Sequence, residues 1–250
     1  MERNLSFDTA ALQTIAVKLG WAQLEIFADD VEKIQVLVAG DEHSVSDLRI
    51  AAEGDALVVE QPQYGLSIKI TESKCMQICI RVPRTWEKKI DCSTISGLLS
   101  ARGLHGSAIE LETVSGDLRA LRLQAPEIRL KTVSGDVRGE KLDAPQLTTR
   151  SVSGDVSLTE TKANAIKSTA ISGAQNLNLI SAFERFELTA VSGNVVIVSP
   201  ADQANVQMHA VSGRVKTEGV TTSEAGPLVR ATGVSADLTL ICAKPAADEQ

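Results

Sequence analysis

The chain has 250 residues, 43% of them apolar and 23% charged, enough to bury a core as one large domain or two small ones and still face water. Its net charge of −7 divides into 10 basic against 15 acidic residues in 1–93 and 15 against 17 in 94–250. Neither part is basic enough for a nucleic-acid footprint, and neither is extreme enough for disorder.

In chain order, residues 1–93 read as short strands separated by turn-formers. The expected strands are Ile15–Leu19, ended by Gly20, then Ile34–Val38, Ala56–Glu60, Leu66–Ile70 and Ile78–Pro83. Gly40-Asp41, Gly54-Asp55 and Gln61-Pro62 punctuate them. Five of the seven aromatic residues (Phe7, Trp21, Phe27, Tyr64, Trp86) fall in this part, so its core differs in kind from that of residues 94–250. The expectation is an antiparallel β cap over residues 1–93.

Residues 94–250 carry an internal repeat, the pattern to seek first because it sets the architecture. The copies are Ile95-Ser96-Gly97, Val114-Ser115-Gly116-Asp117-Leu118, Val133-Ser134-Gly135-Asp136-Val137, Val152-Ser153-Gly154-Asp155-Val156, Ile171-Ser172-Gly173, Val191-Ser192-Gly193-Asn194-Val195, Val211-Ser212-Gly213-Arg214-Val215 and Val234-Ser235-Ala236-Asp237-Leu238. Their serines are 19, 19, 19, 19, 20, 20 and 23 residues apart. The last interval absorbs Thr221–Pro227, read as a bulging loop. Further columns repeat in phase: Leu99, Leu118, Val137, Val156, Val195, Val215 and Leu238, broken only by Gln175; Leu104, Leu123 and Leu142; Ile109, Ile128, Leu147 and Ile166. A small-residue column (Gly106, Ala125, Ala144, Ala163) followed by Ser107, Pro126, Pro145 and Asn164 marks a second corner.

Period-two stretches such as Ile128–Val133, with Gly or Pro in the units, favour strands over helical hairpins. The expected fold is all-β: a right-handed single-stranded parallel β-helix, a solenoid of about eight 19–20-residue coils stacked at ~4.8 Å, with the N-terminal antiparallel cap. Residues 94–245 form the solenoid and 246–250 a polar tail. Each Val or Ile that opens a copy is expected to point into the core as an internal ladder. Gly supplies the corner, and Ser and Asp satisfy it.

Candidate chemistry is sparse. The stacked Asp117, Asp136 and Asp155 offer oxygens for a cation, but a corner-capping role with Arg119 and Arg138 offsetting charge is the simpler reading. His43, His105 and His209 share no column. Cys75, Cys79, Cys92 and Cys242 form no Cys-x-x-Cys pair and are expected as free thiols. Phe183 and Phe186, flanked by Glu184, Arg185 and Glu187, fall where the spacing slips from 19 to 20 and read as a core plug. No catalytic, cofactor-binding or metal residue is expected. Arg119, Lys131, Arg138 and Arg150 would form one mildly basic stripe.

The irregular β region, the run Ile80-Arg81-Val82-Pro83-Arg84 and the stacked Val-Ser-Gly-Asp-Val units resemble a bacterial β-strand-repeat family of unknown function whose members are labelled adhesins. The resemblance covers about residues 10 to 243. It implies a β-helix and an interaction role in cell-envelope contexts. The expected function is therefore a non-enzymatic structural or interaction protein with a protein or glycan partner. No nucleic acid, no membrane insertion and a possible homo-oligomer are expected. The alternatives are a polymer-forming scaffold of bactofilin type and a carbohydrate-active β-helix enzyme. The start Met1-Glu2-Arg3-Asn4 shows no basic-then-apolar leader, and no stretch of 18 apolar residues occurs, so the expected location is cytoplasmic, or the cell envelope if this sequence is part of a longer chain. Any binding site is expected where the repeat fails: coil 170–189, loop 221–227 or the N-terminal region.

Overall fold

A computed structural model describes residues 1–62 and 76–243. The expected strand Leu66–Ile70, Tyr64, Cys75 and the polar tail 246–250 lie outside the described residues. Before the repeats come β1 (Glu2–Phe7), β2 (Thr14–Trp21), β3 (Gln23–Asp29), β4 (Ile34–Ala39), the short helix α1 (Glu42–Asp47), β5 (Arg49–Glu53), β6 (Ala56–Glu60) and β7 (Gln77–Pro83). The repeats supply β8 (Lys89–Ser96), β9 (Leu99–Arg102), β10 (Ile109–Ser115), β11 (Leu118–Leu121), β12 (Glu127–Ser134), β13 (Val137–Glu140), β14 (Gln146–Ser153), β15 (Val156–Thr161), β16 (Ala165–Ser172), β17 (Gln175–Leu179), β18 (Arg185–Ser192) and β19 (Val195–Ser199). The chain closes with β20 (Gln203–Ser212), β21 (Val215–Glu218), β22 (Thr221–Thr222), β23 (Leu228–Ser235) and β24 (Leu238–Cys242).

Each repeat gives one long and one short strand joined through Ser-Gly-Asp or its variant. The long strands stack into one sheet and the short ones into a second, all parallel through the repeats. Register follows the sequence period: Ile109 pairs with Ile128, Ile128 with Leu147 and Leu147 with Ile166 on one sheet, and Leu118 with Val137 and Val137 with Val156 on the other. A third, narrow side is a ladder of single bridges, His105–Gln124–Asp143–Lys162. Between the sheets lies one continuous core. The expected columns Leu99/Leu118/Val137/Val156, Leu104/Leu123/Leu142 and Ile109/Ile128/Leu147/Ile166 are all buried there.

The N-terminal region departs from expectation. Among the described residues, antiparallel pairing is confined to β1 on β4, β4 on β7 and β5 on β6. The other strands continue the solenoid, since β2 pairs parallel with both β6 and β8, and β3 with both β7 and β9. The strands β1, β3 and β5 and helix α1 were not expected from sequence. Asp41 caps α1 by accepting from the Ser44 amide at 2.9 Å.

The stacking order differs from the chain order at both ends. Along one sheet the order runs β5, β6, β2, β8, then through the repeats to β18, β23, β20 and β22. In the other it runs β1, β4, β7, β3, β9 and onward to β19, β24 and β21. The first coil (14–29) thus sits between two later ones, and the last (228–242) is inserted between the coils at 185–199 and 203–218. The segment 219–227 is therefore the connection that lets the chain step back past its neighbour, rather than a simple bulge.

Candidate interaction surfaces

The repeated element meets at a bend. Aspartates there act as expected: Asp117 Oδ1 accepts from the Asp136 amide at 3.1 Å, Asp136 Oδ1 from the Asp155 amide at 3.0 Å, and Asp155 Oδ1 from the Ala174 amide at 2.8 Å. Each carboxylate satisfies the corner amide of the next coil. Arg138 offsets their charge, reaching Asp117 at 3.3 Å and Asp136 at 2.6 Å. The column is occupied as a structural ladder.

The Val/Ile column that opens each copy does not lie in the core, contrary to expectation. Ile95 is 52% exposed, Val133 45%, Ile171 43% and Val234 50%. Val114, Val191 and Val211 are exposed as well, and Val152 is half-buried. The reason is strand phase. Along β10, Ile109, Leu111 and Thr113 point inward, so Val114 falls on the outward beat. The core positions beside it are taken by small or polar residues: Thr94, Thr113, Thr132, Ser151, Ala170 and Ala190. Outside, the serine after each Val or Ile is also exposed. The bend therefore carries a continuous ridge of stacked β-branched side chains edged by hydroxyls. A lone exposed Val needs no explanation, but a contiguous ladder of them does.

The basic residues do not form one stripe. Arg119 and Arg138 are neighbours on the short-strand sheet, whereas Lys131 and Arg150 are neighbours on the long-strand sheet. Lys131 is engaged with Glu110 at 2.5 Å. That contact, with the nearby Arg129, holds the Glu110 carboxyl below its ordinary range.

The other sequence candidates are dispersed. Phe183 and Phe186 pack edge-to-face at 5.8 Å inside the core, as expected of a plug, and Arg185 pairs with Glu187 at 3.4 Å on the surface. His43 sits 3.4 Å from Asp47 on α1, His105 lies on the narrow side and His209 on β20. Cys92 is fully buried, and burial pushes its thiol pKa up. Among the described residues, no group of three or more His, Cys, Asp or Glu could hold a metal ion, and no helix is long and apolar enough to cross a membrane.

Two parallel sheets wound from a 19-residue unit define a β-solenoid repeat protein with an exposed apolar ridge at its bends. The chain belongs to the Toastrack DUF4097 family, a domain of unknown function whose model matches residues 12–232. No curated protein matches it. Among solved structures it is similar to a protein of Parabacteroides distasonis named as a candidate lipid-binding protein, at 13% identity over 95% of this chain and 96% of that one, with a TM-score of 0.60. It is also similar to a candidate adhesin of the same organism, at 11% identity over 96% and 97%, with a TM-score of 0.54. At these identities the likeness is one of fold.

Proposed function

We propose that this chain is a non-enzymatic interaction protein that docks a protein or glycan along its Val/Ile–Ser ridge, with the solenoid as a rigid support. The observation that carries the proposal is the ladder of exposed β-branched side chains, which repeats at the strand spacing along the bend. Such side chains are stiff and lose little freedom on contact, so the apolar area they bury is not offset by ordering. The names of the similar structures, an adhesin and a lipid-binding protein, agree with a binding role. The coil sense is taken as right-handed, the sense parallel β connections adopt, and residues 1–93 as closing one end of the stack.

The test is to replace Val114, Val133 and Ile171 by Lys and measure retention on arrayed glycans and surface proteins. These side chains are exposed, so stability should change by less than about 0.5 kcal/mol per site, while retention falls sharply. Unchanged retention would overturn the ridge, and turnover of an arrayed glycan would overturn the non-enzymatic reading.

A second reading, end-to-end self-association, has one observation in its favour. Among the described residues, β20 beyond Ala204 and all of β21 have no ladder partner on their outer side, and Val211 there is 85% exposed. Filaments visible by electron microscopy would promote that reading over docking along the ridge.

A further inference from the structure

At the end of the short-strand sheet nearest the narrow side, the last residues of four successive rungs enclose a pocket of about 470 Å³. Arg84 follows β7, Phe27, Ala28 and Asp29 end β3, Arg102 ends β9 with Gly103 and His105 beyond it, and Arg122 follows β11. We propose that this pocket binds a small polyanion through paired phosphate or carboxylate groups held by Arg84, Arg102 and Arg122. The site is independent of the ridge, which runs along the opposite ends of these strands.

Charge is the first support. Three guanidinium groups face one carboxylate, Asp29, which already lies 3.8 Å from the Arg81 Nε. This concentration of positive charge occurs on a chain of net −7. Arg102 lies over the Phe27 ring, its guanidinium carbon 4.8 Å from the centroid, and is 3.6 Å from Glu25. The ring and the carboxylate together restrict where this guanidinium can go.

The side chains of Arg84 and Arg122 have no ion-pair or hydrogen-bond partner among the described residues, whereas Arg129 and Arg138 are each held by carboxylates. Guanidinium forks match phosphate and carboxylate bidentately. The volume exceeds that of a single phosphate and suits a ligand of sugar-phosphate or tricarboxylate size.

The corner that carries Arg122 is left-handed in successive coils, with Gly103 at φ 65°, Arg122 at 53°, Lys141 at 55° and Glu160 at 49°. A glycine fits it without strain and the other three do not, so Arg122→Gly removes the guanidinium and a conformational cost together.

The experiment is calorimetric titration at low ionic strength with pyrophosphate and with citrate, on the wild type, Arg122→Gly, the double variant Arg84→Ala/Arg122→Gly, and Arg150→Ala as a charge-matched control on the other sheet. We expect saturable one-to-one binding of at least one probe. The double variant should bind at least about tenfold more weakly, and R150A should be unaffected. Arg122→Gly alone should raise the thermal midpoint while weakening binding, which separates a ligand role from a structural one. Binding of pyrophosphate alone assigns a phosphate-bearing ligand, and binding of citrate alone a carboxylate-bearing one. No saturable binding of either probe, or equal weakening in R150A, would overturn the site.

Discussion

Gly135 shows how closely neighbouring coils approach at the bend. It sits at φ 138°, and a Cβ there would lie 2.2 Å from the Gly116 carbonyl oxygen of the coil before. The obstacle is backbone, which cannot move aside without opening the stack. Gly135→Val should therefore cost more than about 3 kcal/mol. Arg138→Ala, which removes an exposed cross-coil ion pair at the same bend, should cost less than about 1 kcal/mol. Urea denaturation of the two variants checks the contrast, and similar values for both would show that the bend can relax.

At the scale of elements, the inward face of the long strands contains a polar inconsistency. The hydroxyls of Thr113 on β10 and Thr132 on β12 are buried without a hydrogen-bond partner among the described residues. Elsewhere in the core the same kind of group is satisfied: Thr149 bonds Ser168 at 2.7 Å, and Ser168 bonds Gln175, the one break in its apolar column. Thr113→Val and Thr132→Val should thus each stabilise by about 1 kcal/mol, because they delete an unsatisfied buried group at nearly constant shape. A lowered unfolding midpoint in either would show that the hydroxyl has a role in the core.

The same face explains what is legible in the sequence. The period of the repeat sets the registers and the buried Leu, Ile and Val columns. It also points to the aspartate corners. The Val of Val-Ser-Gly is misplaced when its hydrophobicity is weighed above its phase. Counting by two from Ile109 puts it outside. The polyanion pocket is only partly legible in the sequence: Arg102 and Arg122 end successive rungs, β9 and β11, but the insertion of β3 between β7 and β9, which sets Phe27 and Asp29 between them and Arg84, is not.

For the whole molecule, the governing feature is that insertion and its counterpart at the other end. The coil at 203–218 is seated by ladders to β23 and β24, not to the coil that precedes it in the chain. Deleting residues 228–243 should therefore abolish hydrogen-exchange protection across the coil 203–218 and expose the Gly193 and Val195 amides, which donate to Ser235 and Asp237, while β16 and β17 keep their protection. Retained protection in β20 would show that it can re-dock directly on β18. On the ribosome this has a consequence of its own. The strands β20 and β21 emerge before the segment that receives them, so this end cannot be completed during synthesis until the final coil is released. A chain stopped short of Leu228 leaves β20 and β21 without the strands that seat them, unpaired segments of the kind that recruit other strands and quality-control machinery. The molecule thus carries a folding-based test that the segment from Leu228 to Cys242 has been made.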